Sequence, residues 1–198
     1  MIQERALGIR IALSLALFWA LLVAGLNAWT ETQVWNLEKL NRLSLRYYTP
    51  GALPPTLPAA SSLTARASLL AATLLSREAA RASDGRRAVF AEEAHAYLDH
   101  ARNQRPNWAQ ATLVELYTPV AGTSLTVTSP ASLLRQSYVE APFLTKEGPW
   151  RIGQVIRHWN ETDNFTRASA ANEVKYLESL SRPMKVHIRL IKKATPLD

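Results

Sequence analysis

An uninterrupted apolar run near the N-terminus limits the folds open to this chain more than any other feature. Within Ile11–Trp29 only Ser14 and Asn27 are polar, and no residue is charged. Nineteen residues in a helix rise roughly 28 Å, which is about the thickness of the hydrocarbon core of a bilayer. The run therefore predicts one membrane-spanning helix whose partner is the lipid bilayer.

Two other interpretations of the run stay open at the level of sequence. A cleaved signal peptide has a shorter apolar core and a small-x-small cleavage site, and Leu26-Asn27-Ala28 does not supply such a site. A helix buried in a soluble protein would place the run in a core, although apolar runs of this length are typical of membrane spans. We therefore predict an uncleaved, single-pass anchor.

Basic residues beside the run indicate its orientation. Arg5 and Arg10 precede it, and together with the terminal amine they favour a cytoplasmic N-terminus. Lys39, Arg42 and Arg46 follow it, so the difference in charge across the run is small. The prediction is a protein of the bacterial inner membrane whose soluble domain lies in the periplasm.

Composition divides the chain into three parts. Apolar residues at helical spacing continue after the span among charged ones, so residues 1–48 are predicted to form the transmembrane helix and an amphipathic stalk. Residues 49–61 (TPGALPPTLPAAS) contain four prolines and one glycine, which predicts a linker. Residues 62–198 are predicted to form a helical soluble domain.

Helical periodicity dominates the soluble domain, so the predicted fold is mostly α. Ser129-Pro130 and Asp163 or Asn164 are typical of helix starts, and Pro106 is predicted to open a further helix. The expected helices begin near residues 62, 87, 106, 130, 148 and 164. Residues 125–128 match a short strand or an ordered loop, and residues 184–193 match a strand and a helix equally.

The residue types present argue against most catalytic sites. The chain has no cysteine, which excludes disulfides, thiolate metal sites and a cysteine nucleophile. Glu92 and His95 have the spacing of ligands in carboxylate-bridged di-iron bundles, but no second such pair exists, so a solvated helix face is the preferred interpretation. We predict no catalytic residue, no metal and no cofactor. A sugar-active enzyme with paired carboxylates is the remaining enzymatic alternative.

A basic cluster suggests a surface for a partner. The formal net charge is +7, which favours contact with anionic surfaces, and no nucleic-acid motif is present, so nucleic acid is not expected as a partner. The predicted partner surface lies around the turn between the first two helices of the domain and includes one tryptophan. Its residues are Arg77, Arg81, Arg86, Arg87 and Trp108.

A second cluster combines aromatic and basic residues. Aromatic rings stacked with arginine bind sugar rings or nucleobases, and the cluster is a candidate sugar or partner contact. It consists of Trp150, Arg151, Arg157 and Trp159. The alternative is that the stripe of residues 150, 152, 155, 156 and 159 is the buried face of one helix.

The sequence resembles two known groups of proteins. The spacing of Ala94, Leu98, Ala101 and Pro106 resembles the second helix of a tetratricopeptide repeat, which implies a helical hairpin. The segments PNWAQATLVELY and SLLRQSYVEAPFLTKEGPWRIGQVIRHW, together with the anchor and the Pro-rich link, resemble small VpsP-type polysaccharide-biosynthesis accessory proteins. That resemblance implies a part in bacterial exopolysaccharide assembly or export and supplies no catalytic residues.

The expectation is therefore a membrane-anchored, non-enzymatic module that binds other proteins of a membrane complex during exopolysaccharide assembly or export. The alternative is a structural or assembly subunit of another multi-protein complex of the inner membrane.

Overall fold

The computed structural model describes residues 2–46, 57–118, 128–180, 183–185 and 188, and every regular element in these ranges is helical. The predicted mostly α fold, with one long apolar N-terminal helix, is confirmed. Short 3-10 turns lie at Ala60–Ser62 and Trp159–Glu161. The α-helices are α1 (Ile2–Arg46), α2 (Ala65–Arg81), α3 (Asp84–Gln104), α4 (Ala109–Tyr117), α5 (Pro130–Glu140), α6 (Gly148–Arg157) and α7 (Asn164–Leu180).

Helix α4 begins three residues later than the sequence pattern predicts, so the prediction that Pro106 opens it is wrong. The backbone N–H of Arg105 still donates to Ala101 and Arg102, so this residue closes α3. Pro106 then turns the chain, and Trp108 is the N-cap whose carbonyl accepts from Ala111 and Thr112. Because α3 extends to Gln104 and Arg105 is its C-cap, Pro106 lies in the turn after α3 and not in the first turn of α4.

Helices α5, α6 and α7 begin where the sequence predicts, whereas α2 begins three residues after residue 62 and α3 begins three residues before residue 87. The Ser129 hydroxyl accepts from the backbone N–H of Ser132 at 3.2 Å, and Asp163 Oδ1 accepts from that of Thr166 at 2.8 Å. Residues 125–127 and most of the linker 49–61 lie outside the described residues. Of the C-terminal segment left open between strand and helix, residues 184–185 and 188 are described, and they are helical.

The cap of α7 gives a prediction with a pH dependence. Hydrogen bonds from Thr166 hold the pKa of Asp163 below its ordinary value. The stabilisation is therefore fully present above about pH 4 and is lost as the pH falls through the lower folded-state pKa. We expect Asp163→Ala to lower the free energy of unfolding by about 1 kcal/mol at neutral pH, as measured by thermal denaturation.

Asp163→Asn is the matched control, because an amide oxygen also caps a helix but carries no charge. It should keep most of the stability and lose the dependence on acidic pH. Unchanged stability of Asp163→Ala would contradict the assignment of Asp163 as the cap of α7.

Helix α1 has two parts with opposite surroundings. Over residues 13–29 every side chain is exposed, including Leu21 at 64% and Trp29 at 65%. This helix is long and apolar enough to cross a membrane. From Val34 onward one face packs against the rest of the chain, and Val34 and Leu37 are about 5% and 4% exposed. One continuous helix thus joins the apolar part to the folded part.

The contacts between α1 and α2 show that the two helices run in the same sense. Glu38 pairs with Arg66 at 2.7 Å, and Asn41 Nδ2 donates to the carbonyl of Leu70 at 3.0 Å. From the first contact to the second, the residue number rises by three on α1 and by four on α2. The N-terminus of α2 therefore lies on the side of the apolar part of α1.

The helices form two layers, and each layer has its own core. Helices α2 and α3 make an antiparallel hairpin, since the side chain of Gln104 at the end of α3 contacts Leu63 and Ala65 at the start of α2. The face of α1 after residue 33 packs on this hairpin. Helices α5, α6 and α7 form a second core around Leu134, Ile152 and Leu177, and α4 bridges the two layers.

Candidate interaction groove

A cleft of about 580 Å³ opens between α2, α4 and the start of α6. Its floor is apolar, because Leu69 and Leu113 are nearly buried beneath it. Polar and charged groups stand among the lining residues. This cleft, the groove, is lined by Leu69, Leu70, Thr73, Arg77, Gln110, Leu113, Val114, Tyr117, Lys146, Glu147 and Trp150.

The groove runs along the direction of α1. Helices α2 and α4 form its two walls and advance in the same sense: Leu70 and Val114 both line it, and further along the Ser76 and Thr118 hydroxyls meet at 2.6 Å. Helix α1 runs in that sense too and borders the groove where Asn41 contacts Leu70. An elongated ligand in the groove would therefore lie alongside α1.

Arg77 joins the groove to α1. Its Nη1 donates to the backbone carbonyl of Asn41 at 3.1 Å and to its side-chain oxygen at 3.4 Å. Desolvation by burial lowers the pKa of Arg77, and the nearby Tyr117 counteracts part of that effect. An arginine keeps its proton throughout the physiological range, so a half-buried positive charge stands at the groove.

Two exposed aromatic rings line the groove on the side of α4 and α6. Tyr117 and Trp150 meet edge to face with their centroids 6.2 Å apart. They are 40% and 36% exposed, which is high for rings of this size. Tyrosine and tryptophan supply large contact areas at low cost in side-chain entropy, so this pair suits recognition of a partner.

The groove brings together residues from both predicted clusters, Arg77 from one and Trp150 from the other. The remaining basic residues of the predicted partner surface lie elsewhere. Arg86 and Arg87 are exposed in the first turn of α3, and Arg81 ends α2 beside Glu78. Trp108 lies at the opposite end of the hairpin, with the Arg105 guanidinium 4.8 Å from its ring. The residues of the predicted partner surface therefore lie at three separate positions on the domain.

The prediction that Arg151 contacts a sugar or a partner is wrong, because its side chain is fully buried. Its guanidinium binds the Glu173 carboxylate through Nη2 at 2.5 Å and Nε at 3.1 Å. Its remaining N–H groups donate to the carbonyls of Ser137, Ala141 and Pro142 at the end of α5. All five donors of the arginine are therefore occupied inside the fold.

Glu173 is equally saturated. Its oxygens also accept from the Tyr138 hydroxyl at 3.0 Å and from the Leu144 backbone N–H at 2.8 Å. Burial, reinforced by the Glu173 carboxylate, raises the pKa of Tyr138 well above its ordinary range. With every donor and acceptor filled, this buried network has no group left for a substrate. Its role is to tie α5, α6 and α7 together.

Sequence reasoning missed Glu173, although a signal existed. The buried face of α7 carries Thr166, Ala170, Val174 and Leu177, and Glu173 falls on that face. A carboxylate within an apolar stripe requires a buried partner, because an unpaired buried charge is too costly.

The other members of the second cluster are also separated. Arg157 is exposed at the end of α6, whereas Trp159 is half-buried in the second core and its ring lies 4.9 Å from Arg167. The stripe interpretation holds for Ile152 and Val155, which are fully buried.

Glu92 and His95 lie on α3, Glu92 exposed and His95 half-buried. Among the described residues no group of three histidine, aspartate or glutamate side chains is placed to hold a metal ion.

Comparisons with protein-family models, with curated proteins and with solved structures found no match.

Proposed function

We propose that this chain is a membrane-anchored, non-enzymatic module that binds a partner protein in the groove. The observation that carries the proposal is an open apolar groove beside a helix that continues into a membrane-length apolar segment. An apolar cleft with a few charged groups is typical of a binding site. Tyr117 and Trp150 are exposed, and tyrosine and tryptophan are among the residue types that dominate binding energy at protein interfaces.

The partner that best fits the groove is a helix of another protein in the same membrane. Because the groove follows α1, a helix leaving the bilayer next to α1 would enter it lengthwise, with its apolar face inward. Confinement to one membrane also raises the effective concentration of such a partner. Arg77 and Lys146 outnumber Glu147 among the lining residues, which favours an acidic partner helix.

The proposed setting is exopolysaccharide assembly or export in the bacterial inner membrane, with the domain in the periplasm. Support for the pathway comes from the resemblance to VpsP-type accessory proteins, and support for the orientation comes from Arg5 and Arg10. A structural subunit of another inner-membrane complex would use the same groove in the same way. The two settings differ in the cellular process that is lost when the groove is blocked.

The groove makes a direct prediction about partner capture. A photo-crosslinking residue in place of Tyr117 should form one discrete adduct in native membranes, and Trp150→Glu should weaken that adduct. Losing a tryptophan anchor costs about 2 kcal/mol, which is roughly a thirtyfold loss of affinity. The matched control is Val139, which is 63% exposed on α5 outside the groove. A crosslinker at that position should give no adduct, and Val139→Glu should leave the Tyr117 adduct unchanged.

Cellular readouts complete this test. Under the proposed role, Trp150→Glu lowers the amount of secreted polysaccharide as strongly as deletion of the gene does. Unchanged polysaccharide with loss of the adduct would favour the alternative complex. Ala variants at Glu92 and His95 should retain full function, and loss of function in a folded, normally abundant variant would contradict the non-enzymatic proposal.

A further inference from the structure

The direction of α2 determines which end of the domain lies nearest the apolar part of α1. Since α1 and α2 run in the same sense, the N-terminus of α2 and the 3-10 turn Ala60–Ser62 before it point back toward that part. The hairpin places the end of α3 at the same level, because Gln104 binds Leu63 and Ala65. The Tyr97 hydroxyl also donates to the carbonyl of Pro58 at 2.6 Å.

The distance along α1 is short. From Trp29, the last residue of the apolar run, to Val34, the first buried residue, the helix rises only about 7.5 Å. The headgroup layer of one leaflet is roughly 5–8 Å thick. A tilt of α1 would only shorten the height. The end of the domain formed by residues 58–62 and 104–108, called the near end, therefore reaches the lipid headgroups where α1, anchored as proposed, leaves the hydrocarbon.

The side chains at this end suit that position. Arg105 is exposed and stacks on Trp108, and Trp35 is 57% exposed on α1 with the Lys39 ammonium 5.4 Å from its ring. Tryptophan favours the membrane interface, and arginine and lysine bind phosphate groups.

We propose that the near end, formed by residues 58–62 and 104–108, rests on the lipid surface, where Arg105 binds the phosphate of an anionic headgroup. This inference rests on the proposed membrane anchor and holds for either orientation of the chain. The near end and the groove then have different partners, lipid at the end and protein along the side.

The opposite end of the hairpin is out of reach of the lipid. From Gly85 to Gln104, α3 rises about 28 Å. That height is several times the screening length of roughly 8 Å at physiological salt. Arg86 and Arg87 therefore do not contribute to lipid contact.

The absence of cysteine makes the test simple, since any introduced cysteine is the sole labelling site. The full chain is reconstituted in lipid nanodiscs with a spin label at Ser61→Cys, Asn107→Cys or Gly85→Cys, and its accessibility to a headgroup-tethered Ni²⁺ chelate is measured. All three positions are exposed, and a side chain at Gly85 meets open space, so Gly85 is the matched distal control. We expect high accessibility at Ser61 and Asn107 and low accessibility at Gly85.

A second arm tests the headgroup. In discs with a nitroxide on either phosphatidylglycerol or phosphatidylcholine, a fluorophore at position 107 should be quenched preferentially by the anionic lipid. Arg105→Gln should lower that preference about fivefold, the effect of one cation near an anionic surface. Equal accessibility at all three labels, or the highest value at Gly85, overturns the surface contact alone. Failure of the folded chain to enter discs overturns the anchor as well.

Discussion

Replacing Arg151 by Ala is expected to lower the free energy of unfolding by about 3–5 kcal/mol, because it leaves the Glu173 carboxylate buried without its counter-ion. It also removes the donors that bind the carbonyls at the end of α5. Denaturation of the full chain in detergent, followed by tryptophan fluorescence, measures the change. Trp159 packs in the affected core and would report the loss of its packing.

Arg135→Ala is the matched control. Arg135 also pairs with a carboxylate, Asp163, at 2.9 Å, but the two side chains are 59% and 46% exposed. An exposed pair contributes roughly 0–1 kcal/mol, so this variant should be close to the parent chain. Arg151→Met combined with Glu173→Leu should recover part of the loss, since no unpaired charge remains. A loss below 1 kcal/mol for Arg151→Ala would contradict the structural role of the network.

Introducing two arginines into the apolar part of α1 is expected to abolish membrane retention. Each arginine at the centre of a span costs about 3 kcal/mol in insertion, so Leu17→Arg with Leu21→Arg removes much of the driving force. Both leucines are more than 60% exposed, so neither substitution disturbs packing within the chain. Alkaline carbonate extraction of membranes measures the effect: the parent chain should stay in the pellet and the variant should be released.

Val139→Arg is the control for this experiment, because Val139 is as exposed as the two leucines but lies on α5. It should remain in the pellet like the parent chain. Recovery of the parent chain in the soluble fraction, or a mature N-terminus near residue 29, would contradict the anchor and favour a cleaved signal peptide.

The helices were accessible to sequence analysis because their signals are local. Ser129 and Asp163 cap their helices as predicted, since a cap depends on residues only three positions away. Pro106 misled the prediction because a proline suits both the first turn of a helix and the turn before it. Only the extent of α3, which is set by packing against α2, decides between the two.

The groove was not accessible in the same way. Its walls come from residues 69–77, 110–117 and 146–150, and no periodicity within one segment reveals that they meet. The assignment of Arg151 to a surface failed for a related reason. Its partner Glu173 is 22 residues away, and a basic residue in a short helix is ordinarily exposed.

Because α1 is continuous from residue 2 to residue 46, it determines how the domain is rotated about the axis of α1 as well as how far the domain lies from the apolar part of α1. A helix turns by about 100° per residue, so in the proposed membrane-anchored arrangement the four residues between Trp29 and Val34 determine which way the groove faces in the plane of the membrane. Inserting one residue there would swing the groove by that angle while raising the domain by only about 1.5 Å. Inserting seven residues, close to two full turns, would nearly restore the bearing and lift the domain by about 10 Å. For the proposed membrane-anchored chain, the number of residues in this short segment would thus determine which neighbour in the bilayer the groove faces.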